Sequence, residues 1–554
     1  MKYFTHPVLI INRSSCLRTV VLLHAGVNHR FHLSVLILLL SLQSIKAQQQ
    51  LLPLNRRMNQ EVEEGVSAAD KNFHTAAKPY LYSWVYSHIN DTLKSLIAAN
   101  RGRKLVYRKL KTEHLFMVDT GKFYLTVDIL YNFELGNDFA DTSAAADTST
   151  LYVNTRGFII KGDIGDKVSF KTSFYENQAF FPAYLSEYVN NYDVVPGAGR
   201  IKPFKKTGYD YAMATGLVSF TPFKNLNFQF GHGKNFIGDG YRSLLLSDNS
   251  FNYPFFKITT HFGKFQYTNI FTNFQNLAVE LPTSPTTEER FQRKLGTINH
   301  LNWILHERIH IGIFESIIWR ASESDGKWAY KNDYLNFLNP IMMYRPFQYG
   351  LNNKNNVMVG MNLKVKLTDK LNLYAQAMLD DNKSEKYGFQ VGFKGFDLFK
   401  IKDLYFQAEY NSVSPYSYGH MDSTRNYSHY NQALAHPLGA GFSEFIGIVN
   451  YKMRDFFIDV KFNYATYQED SLNNYHFGKD IFKSDRSIPL SAAGQTTTLL
   501  YETIKIGYII NPQTNMQLLI GFSNRSEKNN YWNKKTQYFF IGLRTSLTNQ
   551  YFDF

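Results

Sequence analysis

The stretch FQFGHGKNFIGDGYRSLLLSDNSFN, residues 228–252, best indicates how this 554-residue chain is organised. Phe228 and Phe230 alternate with polar residues as in a β-strand, and four glycines follow at positions 231, 233, 238 and 240. Glycines let a backbone turn sharply or approach another surface closely. The stretch therefore predicts a strand that ends in a tight loop at the rim of a barrel. That loop is either a plain bend or a place where a ligand is recognised.

Two phosphate-binding motifs do not fit this loop. A P-loop requires a glycine, four residues and then Gly-Lys-Ser/Thr, whereas Gly233-Lys234 is followed by Asn235. The dinucleotide fingerprint requires a third glycine, which is missing after Gly231-x-Gly233. Nucleotide binding is therefore not predicted, and we expect no cofactor.

Composition favours a membrane barrel. Aromatic residues make up 16% of the chain and charged residues 19%, and the mean hydropathy is −0.31. No window after the N-terminal segment has the ~18 apolar residues that a membrane-spanning helix needs. A β-barrel needs no such window, because alternate residues face lipid and lumen. We predict an outer-membrane barrel, with a soluble β-sandwich array or propeller as the alternative.

Residues 1–47 have the pattern of a secretory signal peptide, with five basic residues, no acidic residue and a short apolar core at 33–42. Removal of this segment would lower the basic residues from 60 to 55 against 46 acidic residues, and the net charge from +14 to +9. It would also remove Cys16, the only cysteine. The remaining positive charge predicts acidic partners such as lipopolysaccharide phosphates or acidic polysaccharides, and an exported chain is not expected to bind nucleic acid.

The rest of the chain divides into two parts. Residues 48–118 are predicted to form a periplasmic leader and a small helical segment, with a helix over 78–100. Residues 119–554 show a period of two in about 17 segments, which predicts an all-β, antiparallel transmembrane barrel of 16–18 strands, with 18 the best estimate.

The connections between these segments are asymmetric. Some are short, such as 368–370 and 511–515, whereas 136–149, 178–208, 321–331, 412–436, 468–496 and 524–535 are predicted as long polar loops. Short turns at one end and long loops at the other are typical of outer-membrane barrels. The last strand is predicted over 537–547, and the terminal aromatic Phe554 resembles the signal that marks barrels for membrane insertion.

Candidate catalytic residues are few. Ser428 and His429 are the nearest match to the His-Ser pair of an outer-membrane lipid hydrolase, but they lie in a polar loop. His306 and His310 have the letters of a zinc-protease motif, but the alternation around them predicts strand where that motif needs a helix. We predict no enzymatic activity and no metal site. The tyrosine-rich loop 412–439 could hold sugars, although outer-membrane loops are commonly polar and tyrosine-rich.

Residues 238–249, GDGYRSLLLSDN, resemble the G-x-G-x-R-S-L-L-L-S-D-N block of the Wzi-like capsule assembly barrels, and are most similar to the gliding-motility-associated RemB proteins of Bacteroidetes. Softer similarities lie at 344–360 and at 431–439. The resemblance implies a monomeric 18-stranded outer-membrane barrel with periplasmic helices, and a role in capsule assembly, surface polysaccharide attachment or gliding motility. A transport channel is the second hypothesis, and a lipid hydrolase the third.

The same resemblance marks the candidate site residues, which either bind polysaccharide or stabilise the lumen. Within them we expect Arg242 and Asp248 to pair, because buried charges in a membrane protein are usually paired. The expected partners are the outer membrane and its lipopolysaccharide, surface polysaccharide and gliding-motility proteins. The complete candidate set is Lys234, Tyr241, Arg242, Ser243, Asp248, Asn249, Arg345 and His436.

Overall fold

The computed structural model describes residues 51–85, 104–142, 150–280, 291–320, 334–344, 347, 355–380, 385–470, 476–483, 494–545 and 547–554. The predicted signal peptide and most of the predicted helix over 78–100 lie outside these residues. Among the described residues, no helix is long and apolar enough to cross a membrane.

Eighteen antiparallel strands form one closed barrel, which confirms the predicted fold class and strand number. The first and last strands close it, with pairs from Asn132–Arg544 to Asp138–Tyr538. The strands are β1 (Phe123–Asp138), β2 (Leu151–Ile164), β3 (Val168–Phe180), β4 (Gly208–Phe223), β5 (Leu226–Gly233), β6 (Tyr253–Phe262), β7 (Phe265–Glu280), β8 (Phe291–His306), β9 (Ile309–Arg320), β10 (Asn356–Lys366), β11 (Leu371–Asp380), β12 (Tyr387–Gly395), β13 (Leu404–Val413), β14 (Phe442–Met453), β15 (Phe456–Glu469), β16 (Gln495–Asn511), β17 (Met516–Lys528) and β18 (Asn533–Arg544).

Short elements complete the described structure. The helices are α1 (Arg56–Gly65), α2 (Tyr82–Val85), α3 (Leu105–Lys111), α4 (Ala183–Tyr192) and α5 (Tyr334–Phe337), and two 3₁₀ turns cover Leu398–Lys400 and Ser423–Arg425. Two-stranded ladders join Ala77–Lys78 to Phe236–Ile237 and Ser428–His429 to Gln432–Ala433. Phe116–Asp119 and Lys202–Phe204 extend the edges of β1 and β4.

The strands form because apolar and polar residues alternate, so each strand presents one face to lipid and the other to the lumen. On β10, Met361 and Leu363 are exposed on the outer face, whereas Asn362 and Lys364 are buried on the inner face. The lumen is therefore lined with amides and charges, and these side chains need partners inside the barrel.

The two ends of the barrel differ, as predicted. The end with connections such as 165–167 and 454–455 is called the short-turn end, and β1 starts and β18 finishes there. The opposite, long-loop end carries connections such as 181–207 and 414–441. The predicted long loop at 524–535 is wrong. Residues Arg525 and Glu527 belong to β17 and pair at 3.1 Å, so their polarity reflects an inner face and not a loop.

The first described residues are not a separate periplasmic unit. Helix α1 lies inside the barrel at its short-turn end, where Glu63 contacts Lys394 of β12 and Ser67 donates a hydrogen bond to the Asp369 carbonyl. This part of the predicted periplasmic segment belongs to the barrel interior because its polar side chains satisfy charges of the inner wall.

Residues 547–554 also enter the barrel. After β18 ends at Arg544, the chain turns back into the lumen, and the ring of Phe554 lies 4.9 Å from that of Tyr188 on α4. The last strand therefore ends at Arg544 and not at the predicted residue 547, and Phe554 lies beyond it in the lumen. We call residues 547–554 the tail.

Candidate functional site: a plug inside the barrel

Four segments of the described chain lie in the lumen, and together we call them the plug. They are residues 51–85, the central loop 234–252, the loop 414–441 and the tail. The central loop leaves β5 at the long-loop end and descends into the barrel, so it is an interior loop and not the predicted rim loop. It touches each of the other three segments, so the sequence stretch singled out first is the centre of the plug.

Glycine is required where the central loop meets the barrel wall. A Cβ atom on Gly240 would lie 2.5 Å from a carboxylate oxygen of Glu409, and one on Gly238 would lie 2.5 Å from the amide of Gln376. Gly238 also has a backbone φ of 150°, which residues with a side chain rarely adopt. The glycine cluster therefore serves close approach of backbone to wall.

Glu409 of β13 holds the turn that the glycines allow. Its carboxylate accepts the backbone N–H groups of Tyr241 at 2.6 Å and of Arg242 at 3.0 Å, and the hydroxyl of Tyr374 at 2.9 Å. Asn411 also donates to this carboxylate at 2.9 Å. A buried carboxylate that accepts four hydrogen bonds is well satisfied, so Glu409 fixes the height of the loop in the lumen.

Arg242 connects the central loop to the wall and to the tail. Its guanidinium lies 3.1 Å from Glu444 of β14 and 3.2 Å from Asp553 of the tail, and only 1% of its side chain is exposed. Lys461 of β15 lies 2.7 Å from the same Asp553. Burial opposes the charge on Arg242, but the two carboxylates outweigh it and raise its pKa well above the usual value.

Asp553 is charged for the same reason. Burial alone would raise the pKa of its carboxyl group, but Arg242 and Lys461 outweigh that effect and hold the pKa below its ordinary value. The hydroxyl of Tyr241 donates a further hydrogen bond to it at 2.7 Å. We call Arg242, Glu444, Asp553 and Lys461 the charge cluster.

The predicted ion pair between Arg242 and Asp248 is wrong. Asp248 is buried in the same loop, but its carboxylate accepts hydrogen bonds from Tyr551 at 2.7 Å and Asn549 at 3.0 Å. Arg242 and Asp248 therefore both bind the tail, at two separate places. The sequence could not indicate this, because the tail lies about three hundred residues away from the loop, as the separation of 311 between Arg242 and Asp553 shows.

Three further candidate residues stabilise the central loop itself. Lys234 donates to the carbonyls of Gly197 and Asp248 at 2.7 and 3.1 Å, and burial lowers its pKa to about 8. Ser243 donates to the Ile237 carbonyl at 2.5 Å. Asn249 donates to the Ala433 carbonyl of the loop 414–441 at 3.2 Å. Each side chain is therefore directed at other protein atoms and not at open space.

His436 and Arg345 complete the predicted set. His436 contacts Glu444 at 2.7 Å, and Glu444 also pairs with Arg242, so His436 joins the charge cluster. Burial lowers its pKa, even though the Glu444 carboxylate opposes that effect. Arg345 lies outside the described residues.

A second group of charges, missed in the sequence, connects the central loop to α1. Glu63 lies 3.2 Å from Lys78 and 2.5 Å from Lys394, and Lys394 also donates to the Asp239 carbonyl at 2.6 Å. Burial would raise the pKa of the Asp239 carboxyl, but neighbouring lysines outweigh it and lower the pKa. Asp239 lies between two of the glycines, and that position is the one signal that could have indicated it.

The loop 414–441 packs onto the triple leucine of the central loop. The hydroxyls of Tyr418 and Tyr427 donate to the carbonyls of Leu244 and Leu245, both at 2.8 Å. Both tyrosines are at most 2% exposed. The expectation that this loop offers its tyrosines to sugars is therefore wrong for these two, because their rings and hydroxyls are used inside the plug.

Ser428 and His429 serve the same packing. His429 Nδ1 lies 3.0 Å from the backbone nitrogen of Gln275, and its Nε2 lies 3.0 Å from the Asn252 carbonyl. Ser428 bonds Lys294 and Asn426 instead of the histidine. Nδ1 accepts and Nε2 donates, so the ring is neutral, and burial lowers its pKa to about 3.

The two histidines that match the zinc-protease motif do not lie in a helix. His306 ends β8 and His310 lies in β9 beyond a tight turn, as the alternation predicted. Within the described ranges, no group of three or more His, Cys, Asp or Glu side chains is placed to hold a metal ion.

The fold is similar to that of solved outer-membrane barrels. Wzi of Escherichia coli, an outer-membrane protein involved in group 1 capsule assembly and a carbohydrate-binding β-barrel, matches with a TM-score of 0.55 and 12% identity over 90% of this chain and 100% of that chain. OprD of Pseudomonas aeruginosa matches with a TM-score of 0.40 and 8% identity over 76% of this chain and 94% of that chain. OccAB2 of Acinetobacter baumannii matches with a TM-score of 0.40 and 10% identity over 76% and 98%.

No protein-family model matches the sequence, and no curated protein matches it significantly. The similarity to RemB proteins therefore stays a prediction from the sequence. The closed barrel and its likeness to Wzi identify the chain as a protein of the cell outer membrane. In such barrels the short turns face the periplasm and the long loops face outward.

Proposed function

We propose that this protein is a plugged, non-enzymatic outer-membrane barrel that takes part in the assembly and attachment of surface polysaccharide. One observation carries the proposal: the charge cluster joins the central loop, the wall and the tail across the lumen, with Arg242 between Glu444 and Asp553. In this proposal the plug is permanent, and the barrel supports its outer loops.

Energetics favour a permanent plug. Removing one partner from a buried ion pair leaves an uncompensated charge, which costs about 3–5 kcal/mol. Opening the lumen would expose not one such contact but two groups of charges, around Arg242 and around Glu63. A gate that must open for every solute is expected to have weaker contacts than these.

The outer loops suit sugar recognition. Tyr531 is 66% exposed in the turn between β17 and β18, beside Trp532. The Lys534 ammonium group lies 4.7 Å from the centre of the Trp532 ring and pairs with Glu187 at 2.6 Å. The exposed aromatic faces can pack against sugar rings. The fold similarity to a carbohydrate-binding barrel of capsule assembly supports the same ligand class.

The roles of Ser428 and His429 support the absence of catalysis. A general base must reach the hydroxyl that it activates. The Ser428 hydroxyl bonds Lys294 and Asn426, and both ring nitrogens of His429 are used by backbone groups.

The sequence similarity of residues 238–249 to motility-associated barrels supports a role in gliding as the second candidate. The two candidates make different demands on the cell. Attachment requires that polysaccharide stays on washed cells, whereas motility requires that colonies spread.

A deletion strain tests both candidates. It should be complemented with the wild-type gene, with a gene carrying R242M and D248N, and with Arg308→Met as a matched control. Arg308 is partly exposed on the periplasmic side, where it lies 3.9 Å from Asp369 and donates to the carbonyls of Lys366 and Leu367, so its loss should have little effect on the plug. Retained polysaccharide on washed cells and spreading on soft agar are measured together.

We expect the deletion strain to lose retained polysaccharide, and only the wild-type and Arg308→Met genes to restore it. Loss of spreading with polysaccharide intact would assign the protein to motility. Full retention of polysaccharide and normal spreading in the deletion strain would contradict both candidates.

A further inference from the structure

The outward face of β2–β4 carries a second surface that the plug does not use. Tyr152 and Phe180 are partners in adjacent strands, with ring centroids 5.1 Å apart, and Phe204 lies 5.9 Å beyond Phe180. Gly208 lies beneath them, where an added Cβ would be 2.8 Å from the Phe180 ring. The absence of a side chain there lets the rings lie close to the strand, as a platform of aromatic faces.

Three lysines lie in the same hairpin as Phe204. Lys205 lies 5.3 Å from the centre of the Phe204 ring and 5.9 Å from that of Phe180. Lys202 and Lys206 are exposed at the same hairpin tip. Among the described residues, none of the three ammonium groups lies within 4.0 Å of a carboxylate oxygen, although Asp210 is the strand partner of Lys202. The positive charge is therefore available to a ligand.

The height of this surface relative to the membrane indicates which ligand it would meet. Along β3 the outward residues up to Phe174 are apolar except for Thr172, and they become polar at Glu176, which pairs in register with Arg156 of β2. Phe180 lies four residues further out. At roughly 3.4 Å per residue and a strand tilt of about 40°, that is about 10 Å above the edge of the apolar band.

At this level the neighbours of a barrel are the phosphorylated sugars of the outer-leaflet glycolipid. Aromatic faces suit sugar rings, and lysines suit phosphate. We propose that Tyr152, Phe180, Phe204, Lys202, Lys205 and Lys206 form a docking surface for the phosphorylated head group of lipopolysaccharide. We call these six residues the rim patch. The proposal concerns the lipid around the barrel and is independent of the polysaccharide role.

The test measures binding of a defined glycolipid to the purified full-length protein in detergent micelles. The probes are rough lipopolysaccharide and the same molecule after enzymatic removal of its phosphates. The variants are the triple change K202S/K205S/K206S and the single change Lys205→Ser. A matched control, K167S/K224S/K264S, removes the same charge at the periplasmic turns. Bound glycolipid is counted by native mass spectrometry, and heat-modifiable gel migration verifies that each barrel is folded.

We expect wild type and control to retain the phosphorylated glycolipid, and the triple variant to bind it roughly tenfold more weakly, with a smaller loss for Lys205→Ser. Dephosphorylation should weaken binding to wild type by a similar factor. Equal binding by the triple variant and the control would overturn the proposal. So would displacement of the glycolipid by a soluble acidic polysaccharide, because the patch would then belong to that ligand.

Discussion

At the scale of single residues, Arg242 is the position on which the plug most depends. It is buried between Glu444 and Asp553, and an uncharged side chain would leave both carboxylates with fewer partners. We predict that Arg242→Met lowers the free energy of opening the central loop by about 3–5 kcal/mol. Hydrogen exchange of the backbone amides at 234–252 measures this.

The matched control is Arg308→Met, which removes a partly exposed arginine that lies 3.9 Å from Asp369 outside the plug. An exposed pair of this kind contributes about 0–1 kcal/mol. If the two variants exchanged at the same rate in the central loop, the charge cluster would not hold the plug.

His429 gives the loop 414–441 a pH dependence. Its pKa is lowered to about 3 by burial, below the ordinary value of 6.5. The group therefore contributes its full stability above pH 6.5, and that contribution is lost as the pH falls towards about 3, because the unfolded loop takes up the proton first. We predict increasing protease cleavage of this loop over that range.

His429→Gln should make this pH dependence shallower, because glutamine can accept and donate hydrogen bonds without titrating. Part of the slope will remain, since burial lowers the pKa of His436 in the same loop as well. An unchanged pH profile in the variant would show that His429 does not control the loop.

At the scale of elements, the glycine cluster of the central loop determines how close this loop lies to the wall. We predict that Gly240→Ala destabilises the plug by roughly 1–3 kcal/mol, because the new Cβ would lie 2.5 Å from Glu409 and 2.7 Å from Gln390. Gly216→Ala on β4 is the control, since nothing lies within 4 Å of a Cβ there. Hydrogen exchange of the central loop compares them. Equal rates of hydrogen exchange in the two variants would contradict the account that Gly240 lets the central loop approach the wall closely.

The elements of the wall were predictable, and the contents of the lumen were not. Alternation such as that of Met361 and Leu363 with Asn362 and Lys364 is local, so it indicates strands and their number directly. The charge cluster depends on residues from three distant parts of the chain. Arg242 could be recognised as a buried, paired charge, but nothing local distinguishes Asp553 from Asp248 as its partner.

The prediction of loops from local sequence has the same limit. The polar residues Arg525 and Glu527 were predicted to lie in a loop, yet they belong to the inner face of β17, where they pair. Periodicity of polarity cannot separate a lumen-facing strand from a loop when the lumen is itself filled with charges.

At the scale of the whole molecule, the tail is one of four segments that fill a lumen which 18 strands alone would leave open. Its side chains contact the central loop through Asp553, Tyr551 and Asn549. The wall pairs all its strands without the tail, including β18 with β1. A variant that lacks residues 547–554 should therefore still form the barrel but hold the plug more weakly.

Conductance across a planar lipid bilayer is the measurement that tests the closed lumen most directly. We predict no stable conductance for the wild-type protein, and intermittent conductance for the variant without residues 547–554. Arg308→Met serves again as the silent control. A steady, ohmic conductance of the wild-type barrel would contradict the account, because the protein would then be a channel and its plug a gate.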